Sequence, residues 1–218
     1  MRSMDVQIAT YTPPKLLGGS LGLDFVNTVD PRFGPRRHEF LSDYADLIAW
    51  SRHVDVVDDA QASTLRRVLL AHCDEADDVH ARAIDLRESL CDVFRLTMSG
   101  QDLEVTDLDV LNSWLERALS KRRLRAGGAH VAWCWDDLTE DHLDRPLWPV
   151  VLSAAELLTS SERLRIRACP GDDGLCGWLF LDTSKAGTRH WCSMRGCGNR
   201  AKARRHQARV KGGLDRRG

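Results

Sequence analysis

No apolar run in this 218-residue chain approaches the ~20 residues that a bilayer-spanning helix needs, so a helical membrane protein is excluded. The opening stretch, Met1 to Pro14, is polar, carries Asp5 and lacks the apolar core of a secretory signal, which points to the cytoplasm. A nucleophile elbow, a phosphate-binding loop and a His-Glu-x-x-His motif are all missing. The eight histidines form no ligand-like cluster, so nothing marks the chain as an enzyme. No Cys-x-x-Cys occurs, which removes a thioredoxin-like redox role. Wholesale disorder is excluded by the 43% of hydrophobic residues, enough for a buried core.

Charge is also scarce in sum, at −1, but not in distribution. Residues 1–159 hold 17 Lys and Arg against 27 Asp and Glu; residues 160–218 hold 14 against 5. From Lys185 onward there are 11 basic residues and one acid, Asp215. Such a block points to a polyanion contact, or otherwise to a solvated tail. Of the seven cysteines, Cys73, Cys91 and Cys134 are scattered among apolar neighbours, whereas Cys169, Cys176, Cys192 and Cys197 crowd into 29 residues beside the basic block. An odd number in a cytosolic chain argues for metal rather than disulfides.

Periodicity predicts a mainly helical α+β chain. A strand or hairpin is expected around residues 15–22, then a helix after Ser42 with Tyr44, Leu47 and Ile48 on one face. Leu65, Val68 and Leu69 mark a second helix. The clearest runs from about Asp78 to Ser99, where Val79, Ala83, Leu86, Leu90, Val93 and Phe94 recur at mostly 3–4 residue steps. Thr106 to Asp109 resembles a capping box that opens the next helix. Arg122–Arg125 and His130–Trp135 read as strands joined at Gly127-Gly128, and Pro146 and Pro149 start another helix. Arg163 to Ala168 alternates strictly, predicting a strand with Leu164 and Ile166 inward. The division expected is 1–160 for a helical sensing or assembly domain, 161–210 for a Cys-rich module and 211–218 for a basic disordered tail.

The cluster is spaced Cys169-x6-Cys176-x15-Cys192-x4-Cys197. Zinc takes four tetrahedral ligands, and four thiolates leave no position for a catalytic water, so the expected metal is one structural Zn2+ per chain. Trp178–Leu181 and Thr188–Trp191 are expected to form a hairpin between the two cysteine pairs, turning at Thr183–Gly187. A segment of 40–50 residues buries little core, and a metal supplies the missing folding free energy, on the order of 10 kcal/mol. His190 and His206 are candidate substitute ligands; the alternative is four unligated cysteines in a loop.

These motifs are recognisable. Trp191-Cys-Ser-Met194 with Cys197-Gly-Asn-Arg200-Ala-Lys202, and upstream Cys176-Gly-Trp178, Phe180, Asp182 and Ser184, resemble the CGNR zinc finger. Gly18-Gly19, Leu23-Asp-Phe-Val-Asn-Thr28 and the Tyr44–Trp50 stretch look like the domain called ABATE, which commonly precedes that finger. His190 departs from the pattern, standing where Arg is expected, at the cost of a fixed charge but no ligand. The resemblance implies a small treble-clef-like finger of hairpin and helix, and a bacterial, stress-induced transcription regulator.

Asn199 to Val210 contains helix formers and no Pro or Gly. Arg200, Arg204 and Lys211 fall on one stripe, and Lys202, Arg205 and Arg209 on another. A helix basic on both flanks suits the major groove of double-stranded DNA, with Arg189 and Arg195 as further phosphate contacts. Trp178, Phe180 and Trp191 could stack bases but read better as the finger's core. A single finger touches few bases, so a homodimer on paired half-sites is expected. The rivals are an RNA-binding module and a protein-interaction zinc module. In the N-terminal half Asp24, Asn27, Thr28 and Trp50 are candidates to line a small-molecule effector site, or otherwise caps and core.

Overall fold

The computed structural model describes residues 11–128, 130–136 and 142–214. Its N-terminal part packs around one long helix, α4 (Cys73–Ser99), about 40 Å from end to end at 1.5 Å per residue. Val79, Ala83, Leu86, Leu90, Val93 and Phe94 form its buried stripe, as the spacing predicts. It starts five residues earlier than expected, because Asp74 and Glu75 complement the positive end of the helix. Gly100, at φ 68°, ends it by returning its N–H to Leu96 and Thr97. Around α4 lie α1 (Leu21–Val26), α2 (Tyr44–His53), α3 (Asp59–Ala71), α5 (Asp109–Ser120) and α6 (Trp148–Thr159). Asp43 rather than Ser42 caps α2, accepting from the Asp46 N–H at 2.8 Å. The capping box before α5 is Glu104 with Asp107, and it opens a 3-10 turn that leads into the helix.

The segment at 15–22 is not a hairpin. Ser20 accepts from the Leu23 N–H and starts α1, so the chain turns helical where alternation suggested a strand. α1 lies tight on α6. A Cβ at Gly22 would stand 3.1 Å from the Cβ of Ala154, closer than ordinary van der Waals contact, so glycine allows this approach without displacing α6.

Among the described residues the strands form three antiparallel pairs. β1 (Val29–Asp30) pairs with β2 (His38–Glu39), and β3 (Arg122–Gly127) with β4 (His130–Trp135) in the register Arg122↔Trp135 to Gly127↔His130. β5 (Ile166–Ala168) pairs with β6 (Leu179–Leu181) through Ile166↔Leu181, Arg167↔Phe180 and Ala168↔Leu179. The partner of β6 is therefore β5, not the 188–191 stretch. Leu164, at 67% exposed, does not face inward either. Ser160 accepts from the Glu162 N–H, and Arg163 donates back to the Ser160 carbonyl, which winds residues 161–165 into a 3-10 turn.

β6 joins two cores. Successive side chains of a strand point to opposite faces. Leu179 and Leu181 enter the main core with Leu23, Phe25, Trp50, Phe94 and Ala154. Trp178 and Phe180 enter a second core with the four clustered cysteines, Leu17, Phe40 and Trp191. The last element among the described residues is α7 (Asn199–Leu214), which runs four residues past the boundary expected at 210, so 211–214 are helical. No helix among the described residues is long and apolar enough to cross a membrane.

Candidate zinc centre and basic helix

Cys169 follows β5, and a turn with Gly171 at φ 67° and Gly174 at φ 83° brings the chain back to Cys176. The turn is closed by the Cys169 N–H to Trp178 O at 2.8 Å and the Gly177 N–H to Cys169 O at 3.0 Å. A second turn, Met194–Gly198, carries Cys197 beside Cys192 and runs directly into α7. All four sulfurs are buried and lie within 4.8 Å of one another. Cys176 and Cys192 are 3.9 Å apart, and Cys192 and Cys197 3.7 Å. Four Zn–S bonds of about 2.3 Å in a tetrahedron place sulfurs about 3.8 Å apart, so the donor set fits one structural zinc and leaves no open ligand position. His190 is outside this cluster.

The electrostatics favour the same occupant. The sulfhydryls of Cys176 and Cys192 hydrogen-bond to Cys169, which holds the Cys169 thiol far below its ordinary value. The same contacts push Cys176 far up and Cys192 up to about 12. Burial raises Cys197. A divalent cation replaces those shared protons and lets all four ligands ionise. Two donors already face the sulfurs: the Gly171 N–H on Cys169 at 3.4 Å, and Arg200 Nη2 on Cys197 at 3.1 Å. Such contacts offset the net negative charge of a four-thiolate zinc.

The finger is fastened to the N-terminal part from several sides. Trp178 Nε1 donates to Val29 O at 2.8 Å, and the N–H groups of Arg32 and Phe33 donate to Cys176 O and Leu175 O at 2.8 and 3.0 Å. Arg95 donates to Gly177 O at 2.8 Å. Gly177 sits at φ 68° under Phe33, where a Cβ would stand 2.6 Å from the ring. Arg32 is held in turn by Glu88 at 2.8 Å, and Arg87, 2% exposed, pairs with both oxygens of Glu39.

The basic residues expected to touch phosphates divide into three sets. Arg189 is a staple: it donates to the carbonyls of Leu17, Leu181, Trp191 and Cys192 and lies 4.3 Å over the Phe180 ring. With Asp182 accepting from the N–H groups of Ser184 and Arg189, this staple fixes residues 182–191 as a loop instead of the return strand. Arg200 and Arg204 share the carboxylate of Asp172, at 3.3 and 3.4 Å. Arg195, Lys202, Arg205 and Arg209 are exposed to solvent. Trp178 and Phe180 are core, as expected, but Trp191 is only half-buried. It lies against His190 and below Arg205 in a cleft between the Pro170–Gly174 turn and α7. Sequence reasoning placed Trp191 with the core and gave His190 no role beyond the metal.

Asp24, Asn27, Thr28 and Trp50 are spent inside the fold. Asp24 accepts from the Gly18 N–H at 2.8 Å, and burial raises its carboxyl above the usual range despite that bond. Asn27 bonds both backbone groups of Leu179, and the Thr28 hydroxyl donates to Phe25 O and accepts from Arg87. Trp50 is fully buried against Phe25. None of the four lines a described cavity, and the polar groups of Asp24, Asn27 and Thr28 are already taken by partners inside the fold. Trp114 and Trp148 are core as well, whereas Trp133 stands exposed on β4 beneath Arg122.

None of the curated proteins compared is similar to the chain. Residues 165–210 match the family model of the CGNR zinc finger, which takes in the cysteine cluster and most of α7. Neither this family nor the one matched upstream is an enzyme family. Residues 19–161 match the ABATE model, described as "Putative stress-induced transcription regulator", and the chain belongs to that family, with a CGNR zinc finger following its ABATE domain.

Proposed function

We propose that the protein is a regulator that binds double-stranded DNA through α7, held at a fixed angle by the zinc centre. The observation that carries this reading is the exposure of α7. Every side chain from Lys202 to Val210 is exposed, so this stretch of the helix has no apolar face packed on its own protein. A helix polar all round gains little from its own fold and is suited to a partner. Here that partner is a polyanion: Lys202, Arg205 and Arg209 project from one flank, with Arg195 in the preceding turn. Arg205 and Arg209 are one turn apart and repel, a cost that phosphates remove. A helix of this width fits the major groove, where arginine can read guanine.

The ABATE domain, close to residues 1–160, then serves as the body that aims the finger at 161–210. Asp24, Asn27, Thr28 and Trp50 support that body rather than an effector site. One finger reads few base pairs, so the functional unit is a homodimer. Reduced thiols that hold zinc suit the cytoplasm.

Binding of a 20-bp duplex at several salt concentrations tests the reading. The wild type should bind with a steep salt dependence, and Lys202→Ala/Arg205→Ala/Arg209→Ala should lower the slope by about three units. An unchanged slope would exclude this helix, and equal or tighter binding to duplex RNA would favour the RNA-binding alternative.

A further inference from the structure

The cleft beside the zinc centre has the chemistry of a nucleotide site. Resting on the reading of α7 as a nucleic-acid contact, we infer that it takes one unpaired nucleotide of a bound strand. Its base would lie on the Trp191 indole, and its phosphate at Arg204 and Arg205. The cleft measures about 640 Å³, within the ~300–1,000 Å³ of small-ligand sites. One wall is the Gly171–Gly174 turn, where a side chain at Gly174 would meet only open space. The other wall is α7, with Arg204 and Arg205. Asp172, an acid on the rim, pairs with Arg200 and Arg204, and the phosphate takes its place at Arg204.

The floor is Trp191, and three features set it apart from the other finger aromatics. Trp178 and Phe180 are buried, and the Trp178 N–H is satisfied by Val29, whereas Trp191 borders the cleft and its indole N–H has no protein acceptor. His190 stands edge-on to it at 4.7 Å and 89°, which fixes the orientation of the indole plane. Arg205 lies over the ring at 5.9 Å. Direct stacking would bring the guanidinium to about 3.5–4 Å, and a base between the two planes needs about 7 Å. The guanidinium is out of stacking contact and is held by an Arg205 Nε donation to Ala201 O at 3.3 Å, so a base enters as that exposed bond gives way and the side chain swings on its stem. An aromatic floor with a cationic lid recognises any base by stacking, which makes the site tolerant of sequence.

The test uses the full-length, zinc-loaded protein with a 20-bp DNA duplex, either fully paired or carrying one central unpaired base. The wild type should prefer the bulged duplex by about tenfold, the size of one base–aromatic stack. Trp191→Leu should abolish the preference while keeping the affinity and salt slope for the paired duplex; Trp191→Phe should keep most of it. If Trp191→Leu loses zinc, Arg205→Gln serves instead and should remove the preference while lowering the slope by about one unit. Equal binding of both duplexes by the wild type, or a preference that survives Trp191→Leu or Arg205→Gln, overturns the site. Adenosine monophosphate binding as tightly as the bulged duplex also overturns it, in favour of a free-nucleotide pocket. Absence of salt-dependent binding to either duplex marks instead a failure of the underlying reading of α7.

Discussion

The side-chain amide of Asn27 pairs with both backbone groups of Leu179: its Nδ2 donates to the carbonyl at 2.7 Å, and the Leu179 N–H donates to its Oδ1 at 2.9 Å. Two residues further on, the Leu181 N–H donates to Gly18 O at 2.7 Å. The segment around α1 thus covers the edge of β6 that β5 leaves free, and an otherwise open strand edge is closed by one asparagine and one carbonyl. Because β6 feeds both cores, this edge couples the zinc finger to the helices.

Replacing Asn27 by Ala leaves a buried N–H and a buried C=O without partners, at a cost of about 2–4 kcal/mol. Asn27→Asp should cost more, since it faces the Leu179 carbonyl with a second acceptor. Urea unfolding followed by circular dichroism and by zinc release should give coincident midpoints in the wild type, shifted together in Asn27→Ala. Two separated transitions would show that the finger folds on its own.

What the sequence disclosed follows from the range of each signal. The four cysteines, the Gly127-Gly128 hairpin and the buried stripe of α4 are written in local spacing; the cysteines cluster, the hairpin forms and the stripe is buried as predicted, with only the start of α4 displaced. The partner of β6 is not local. Leu179 to Leu181 are buried on both faces, so no polar alternation indicates which neighbour they take, and the Arg189–Asp182 staple decides it. Charge counting likewise gives Arg189 and Arg209 equal weight, although one is held by four carbonyls and the other is exposed. Asp24 and Asn27 were visible as a polar cluster, but their partners, Gly18 and Leu179, lie on segments that only the fold brings together.

Metal analysis should give one zinc per chain. Cys197→Ser should fall below half an equivalent and lose the 16 residues of α7 from the helical signal, because that helix starts on the turn holding Cys197. Zinc contributes on the order of 10 kcal/mol to small sites of this kind. Since β6 is shared between the two cores, the remaining helices should also melt at a lower temperature. An unchanged melting temperature for them would mean that the two cores are independent.

Asp182 gives the finger an acid limit. Its carboxylate accepts from the Ser184 hydroxyl at 2.6 Å and from the Ser184 and Arg189 N–H groups, and the Ser184 hydroxyl is the first cause holding it below the usual carboxylate range. A carboxyl depressed in the folded state stabilises above its unfolded value, about 4, and that stability is lost as pH falls through the folded value. The melting-temperature difference between wild type and Asp182→Asn should therefore be constant from pH 7 to about 5 and shrink below about 4. A difference that grows on acidification would contradict the assignment.

Asp172 competes with nucleic acid for the first turn of α7. Its carboxylate, 15% exposed, lies 3.3 Å from Arg200 and 3.4 Å from Arg204, and its carbonyl accepts from Arg204 at 3.2 Å. Arg200 and Arg204 are one helical turn apart and would repel each other, so the acid relieves a like-charge pair while holding both cations against the zinc knuckle. A phosphate can do the same, and binding through these arginines requires it to displace Asp172. Removing the acid as Asp172→Asn should change folding stability by less than about 1 kcal/mol, because both guanidinium groups are largely solvated. It should strengthen duplex binding at low salt by about 3- to 10-fold and steepen the salt slope by up to about two units, one for each cation released. Anisotropy titrations from 50 to 200 mM salt read both quantities. A weaker complex with an unchanged slope would instead assign Asp172 to aiming the helix, and leave phosphate contact to Arg195, Lys202, Arg205 and Arg209 alone.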